Sequence, residues 1–305
     1  MKSSAAIDYA SAKPGGSVSR AFEHVFQGMS PAQYLETCDS YELVPAFLKL
    51  LPENQPILEA GSGSGRWVAW FRRHGWNAVG VDWSDVLNAR ARTGYGGDWF
   101  LSADMARLPF PDASFGSVVA LGSVEHDPAG PLAALREFAR ILRPGGVALV
   151  TVPNGRTIKR ISGRIREARE MWNPITRPLR ESPSLRRLMG KPAVSVTGRS
   201  EARSSTHGAW APSFTRESDG WHFFEYQFRP RQIRDMLLQA GFVIDREWTD
   251  FQEQGVLANF GPMAGSWNST EARVDLSGLG RFLVRFIPID MTGQMICFEA
   301  RRPAN

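Results

Sequence analysis

Cysteine is scarce in these 305 residues: Cys38 and Cys297 are the only two, far apart and without a CxxC spacing. That excludes a disulfide framework or a paired-thiol centre as the organising feature, and two buried thiols in a reducing compartment are expected. No apolar run approaches the roughly 18–20 residues of a membrane-spanning helix. The opening stretch MKSSAAIDYASAKPGGSVSR lacks the apolar core that directs secretion and reads as a loose tail. A cytoplasmic protein is therefore expected. Acids and histidines are nowhere clustered at metal-ligand spacing, so no metal is expected either.

The charge is uneven. Between Arg156 and Arg203 stand thirteen Lys and Arg against four acids, a local +9 inside a chain whose net charge is +5. The remainder is thus acidic, at −4. A uniformly basic surface would point to nucleic acid; one basic segment in an acidic frame does not require it, and no nucleic-acid partner is expected.

From Pro56 onward, short apolar runs alternate with helix-like stretches. PILEAG, NAVGVD, WFLSAD, FGSVVALG and GVALVTVP read as strands. RWVAWFRRHG, SDVLNARAR and PLAALREFARIL read as helices, with Ser84 placed to cap the second. Nearly continuous apolar strands separated by helices predict a parallel sheet covered on both faces, a doubly wound α/β fold. The rhythm stops at Asn154. Residues 155–222 are rich in Arg, Ser, Pro and Gly and show no clear strand; RPRQIRDMLLQAG then predicts a helix, and FVIDREW and GQMICFEARR two closing strands. The expected organisation is a tail and leading helix over 1–40, a core over 41–154, a basic insertion over 155–222 and the rest of the core over 223–305.

In such a sheet ligands collect beyond the carboxyl ends of the strands. ILEAGSGSGRW (57–67) places Gly61, Gly63 and Gly65 there, where backbone can approach a ligand without Cβ clashes and the next helix offers unpartnered amides. Asp82 ends the second strand and could accept two ribose hydroxyl bonds; Asp104 ends the third and could accept from an adenine amine while Met105 packs on the ring. A G-x-G-x-x-G dinucleotide fingerprint would need glycine where Arg66 stands, and Glu59 would set a negative charge beside a pyrophosphate. A ligand with a cationic arm suits Glu59 better.

The motifs ILEAGSGSGRW, VGVDWS, SADMARLPFPDASFGSVVALGSVEH and REFARILRPGGVALVTVPN resemble those of class I S-adenosylmethionine-dependent methyltransferases, of the methyltransferase-11 type. The resemblance covers about 56–154 and extends to 229–242. It implies a seven-stranded Rossmann-like sheet with an antiparallel last strand, and S-adenosyl-L-methionine as cofactor. Glu59 and the glycines, with Ser62, would hold the methionine part and Asp82 the ribose. Asp104 and Met105 would flank adenine, with Trp83 and Leu121 completing the set. Gly116 departs from the family, which often has aspartate there; the position lies at a strand start, away from the expected pocket.

Methyl transfer needs alignment of an acceptor behind the methyl, and for a hydroxyl or amine also removal of a proton. His126, closing GSVEH, is the leading candidate base, set against a role in shaping the loop; His222, in GWHFFEYQF, is the second. The aromatics of that run read either as core or as acceptor-pocket wall. In the insertion, Ile158, Ile161, Ile165, Ala168 and Trp172 fall at helical spacing among arginines. A lid, an anionic-membrane contact through 156–172 and a site for a phosphorylated acceptor all fit that pattern. The expected acceptor is a small or lipid-linked molecule, such as a saccharide, methylated on oxygen.

Overall fold

The computed structural model describes residues 29–52, 54–155, 211–217, 220–268 and 273–304, with backbone alone at 211–217 and 220–222. Most of the tail and the basic segment 156–172 lie outside these.

Two short helices lead, α1 (Pro31–Glu36) and α2 (Val44–Leu50). The core then alternates β1 (Ile57–Ala60), α3 (Arg66–Arg73), β2 (Ala78–Asp82), α4 (Asp85–Tyr95), β3 (Phe100–Ser102), β4 (Phe115–Leu121), α5 (Leu132–Ile141) and β5 (Leu142–Pro153). Every residue of β1 is buried, and so are the last eight of β5, as expected of strands covered on both faces. Ser84 caps α4, its hydroxyl accepting from the Leu87 amide.

Seven strands form one sheet in the order β3-β2-β1-β4-β5-β11-β8, where β8 is Val243–Asp250 and β11 is Met295–Arg301. β11 runs antiparallel to both neighbours, pairing Ile296 with Val152 on one side and with Thr249 on the other. The expected doubly wound sheet with an antiparallel last strand is what forms. Helix α6 (Pro230–Gln239) buries Ile233, Met236 and Leu237 against the core, as its spacing predicted.

Two regions depart from the expectation. Strand β6 (Ala211–Glu217) lies inside the stretch read as strandless and pairs antiparallel with β7 (Gly220–Gln227). A two-stranded hairpin needs little apolar periodicity, because its partner is its sequence neighbour, so a Ser/Thr/Arg-containing strand leaves a weak signal. Between β8 and β11, α7 (Gln252–Phe260), the hairpin of β9 (Gly265–Asn268) and β10 (Arg273–Leu276), α8 (Gly278–Phe286) and α9 (Ile289–Thr292) form a small lobe. Val256, Ala264 and Leu283 are its buried centre. Among the described residues no helix is long and apolar enough to cross a membrane.

The aromatic run of β7 is largely core. Phe223, Tyr226 and Phe228 are buried in the main cluster, whereas Phe224 turns its ring edge-on to His126.

Candidate active site

Strand order reverses between β1 and β4, and a crevice opens there, lined by the ends of the strands and the loops that follow.

The acid–glycine run supplies one wall. Glu59, 3 % exposed, accepts the Val68 amide hydrogen on Oε2 over 3.1 Å, in the first turn of α3 where amides lack helical partners. Burial pushes its carboxyl up to about 8; the Val68 bond and the Arg66 guanidinium oppose the rise, and Asp82 adds to it. Gly61 has φ 77°, and a Cβ there would lie 2.4 Å from the Cβ of Ser123. Ser123 in turn donates its hydroxyl to the Ala60 carbonyl over 2.8 Å. The loops after β1 and β4 are thus pressed together at a contact only glycine allows.

Asp82 closes β2. Its Oδ2 accepts from the Gly63 amide over 2.8 Å and its Oδ1 from the Ser84 amide over 2.9 Å. Both oxygens are therefore fixed in place, while a carboxylate has about four acceptor directions in all. Asp104, just past β3, is held by the Ala106 amide over 2.8 Å. Trp83, Leu87 and Met105 line the same crevice as these two acids.

Of the cofactor residues expected from sequence, Glu59, Gly61, Ser62, Gly63, Asp82 and Trp83 line the crevice, and so do Asp104, Met105 and Leu121. Gly65 does not. Its Cβ would strike the Phe100 ring at 2.5 Å and Ala91 at 2.8 Å, so it lets α3 pack against β3 and α4.

His126 lies in the 3-10 turn Val124–His126 and reaches the crevice, 6 % exposed. Its Nδ1 is 2.7 Å from the Phe224 carbonyl oxygen. Burial pulls its pKa down to about 4, against hydrogen bonds to the backbone of Phe224 and Gly122. The backbone of His222 pairs with Thr215 in the β6–β7 hairpin; its side chain is outside the described set.

Tyr41, Arg66, Trp67 and Asp127 also line the crevice, although none was among the expected site residues. Tyr41 meets Trp67 edge-on at 5.0 Å, and the Arg66 guanidinium stands 5.1 Å from the Tyr41 ring and 5.2 Å from Trp67. Arg66 was legible in principle, being the first helical residue after the glycines; Tyr41 reaches the site from outside every motif. Nor did spacing reveal an acid/His cluster, yet the fold builds one: Glu125, His126 and Glu225 offer ligand-type atoms all within 4.8 Å of one another.

Known proteins match this chain over its core. The methyltransferase-domain family of the methyltransferase-11 type matches residues 58–150. The malonyl-[acyl-carrier protein] O-methyltransferase of Erwinia pyrifoliae is 32 % identical over 131 residues, 42 % of this chain and 47 % of that protein. A "probable S-adenosylmethionine-dependent methyltransferase" of Mycolicibacterium smegmatis is 36 % identical over 100 residues, 32 % of this chain and 38 % of its own length. The matches thus span less than half the length of either relative. A solved SAM-dependent methyltransferase of Methanosarcina mazei superposes with a TM-score of 0.51 at 16 % identity, over 87 % of this chain and 100 % of that one, and so shares its fold.

Proposed function

Because the chain carries a class I S-adenosylmethionine-dependent methyltransferase domain, we propose that it transfers a methyl group to a small-molecule or lipid-linked acceptor, on oxygen. The observation that carries this reading is the convergence of Glu59, Asp82 and Asp104, from three adjacent strand ends, on one crevice at the point where strand order reverses.

S-adenosylmethionine supplies a methyl group already activated on a sulfonium. The residues fit such a donor. Glu59 is a buried carboxylate whose ionised form a cationic amino-acid arm would stabilise, and Arg66, beside it, suits the donor's own carboxylate. Asp82 has both oxygens aimed and fixed for ribose hydroxyls, and Asp104 with Met105 and Trp83 forms a polar-edged apolar slot for adenine. Pre-set alignment of this kind is most of what a direct displacement asks of a protein.

His126 lines the same crevice, followed in the chain by Asp127. With its pKa held near 4 it is a poor proton acceptor at neutral pH. We assign it to positioning the acceptor rather than to general-base catalysis. An oxygen acceptor is supported by the name of the Erwinia relative, an O-methyltransferase.

Calorimetry separates donor classes: S-adenosylmethionine is expected to bind at micromolar concentration and NADH not at all, and the reverse result would overturn the assignment. Transfer of labelled methyl from S-adenosylmethionine into fractionated extracts then identifies the acceptor; donor binding with no transfer to any fraction would leave a binding module in place of an enzyme.

A further inference from the structure

The turn after β4 and the bulged strand β7 bring three ligand-type side chains together beside the crevice. In the β6–β7 hairpin, Ser213 pairs with Glu225 and Phe214 with Phe223, so β7 carries one extra residue at Phe224. A bulge of this kind bends a strand and re-aims its side chains. Here the Phe224 carbonyl meets His126 Nδ1 at 2.7 Å, and Glu225 joins Glu125 and His126 in one cluster.

The cluster is incomplete as it stands. Glu125 is 1 % exposed, and its Oε2 is buried without a hydrogen-bond partner. An orphaned carboxylate oxygen inside a protein is costly, and a second acid beside it raises that cost. The other oxygen, Oε1, is 3.8 Å from His126 Nε2, too far for a hydrogen bond. Two ligands bound at about 2.1 Å to one tetrahedral metal ion stand about 3.4 Å apart, so the observed separation needs little contraction to close on an ion.

We propose that Glu125, His126 and Glu225 bind one divalent cation, Mn²⁺ or Zn²⁺ by the chemistry of two carboxylates and one imidazole. Two features fit. Two carboxylates and a neutral imidazole carry −2 together, which a divalent ion cancels. The Nδ1 bond to the Phe224 carbonyl is the outer-shell contact that fixes the ring of a metal-ligating histidine, turning Nε2 toward Glu125.

The chemical consequence rests on the methyl-transfer reading, whereas the site itself does not. An acceptor oxygen entering between His126 and Asp127 would complete the coordination shell, and a bound cation would make its hydroxyl more acidic.

The full-length protein, stripped with chelator and dialysed, is titrated with MnCl₂ and with ZnCl₂ by calorimetry in the absence of donor and acceptor. One saturable site is expected for at least one of the two metals, weakened at least tenfold by Glu125→Gln and by Glu225→Gln, with S-adenosylmethionine affinity measured separately on the same samples. Glu225→Gln alters the less buried ligand and keeps the test open should Glu125→Gln fail to fold. No saturable uptake of either metal by the stripped wild type, or uptake unchanged in both variants, overturns the site and leaves Glu125 a buried protonated acid. Neither result bears on donor binding, which stands or falls with its own titration.

Discussion

Gly63 donates its amide hydrogen to Asp82 Oδ2 over 2.8 Å, fastening the loop after β1 to the end of β2. On the proposed reading the bond links two halves of one donor site, since the residue assigned to ribose also fixes the backbone assigned to the amino-acid arm. Asp82→Ala is therefore expected to weaken S-adenosylmethionine binding by about 10- to 100-fold, from about 1.5–3 kcal/mol of lost charged hydrogen bonding. The unliganded protein should also lose stability, read as a lower Tm. Unchanged affinity by calorimetry would remove Asp82 from the donor site.

With Glu59 in its proposed place beside the donor's cationic arm, donor binding should depend on pH. In the free protein burial holds its carboxyl at about 8, so it is largely protonated at pH 7. A cationic ligand favours the carboxylate, so binding should release a proton and affinity should rise with pH up to about 8, then level off. Calorimetry at pH 7 in two buffers of different ionisation enthalpy measures the protons released. Glu59→Gln should bind more weakly and release none.

The same group also sets a stability trend. The folded pKa lies above the unfolded one, so wild type should lose stability relative to Glu59→Gln as pH rises from about 4.5 to 8, with no further change above. Denaturant midpoints at pH 5, 6.5 and 8 check the sign.

Gly61→Ala tests the contact between the loops after β1 and β4. The added Cβ would sit 2.4 Å from that of Ser123, on backbone with φ 77°, and overpacking of this sort costs about 1–3 kcal/mol. A lower Tm together with lost donor binding is expected. Gly75→Ala, also at positive φ but with open space around it, should lower Tm through backbone strain and leave donor binding intact.

His126→Asn separates positioning from general-base catalysis. If the imidazole positions the acceptor, labelled-methyl transfer falls in rate while the pH profile between 5 and 9 keeps the position of its limbs. Loss of the acidic limb would restore the histidine as the proton acceptor.

The sheet and the crevice acids were legible because they depend on local pattern: short apolar runs repeat through the core, and the first four, PILEAG, NAVGVD, WFLSAD and FGSVVALG, end in an acid or glycine. Gly65 shows the limit of that reading. It shares a motif with Gly61 and Gly63, yet it packs against Phe100 and Ala91, a contact decided by where α3 crosses β3. Tyr41 and the Glu125–His126–Glu225 cluster depend on approach between distant segments, and a single chain carries no periodicity for that. Strand β6 was invisible for a related reason: hairpin pairing with its own neighbour asks for no buried face in its sequence.

The antiparallel seating of β11 has a consequence for biosynthesis. Among the described residues β8 has no hydrogen-bonded neighbour in the sheet except β11, and β11 is made after both strands it joins. Until Met295–Arg301 leave the ribosome, β5 and β8 both present bare edges, and bare edges recruit other chains. The nascent polypeptide should thus be most prone to self-association just before β11 emerges, and a stop codon placed ahead of Met295 should turn a folding protein into an aggregating one.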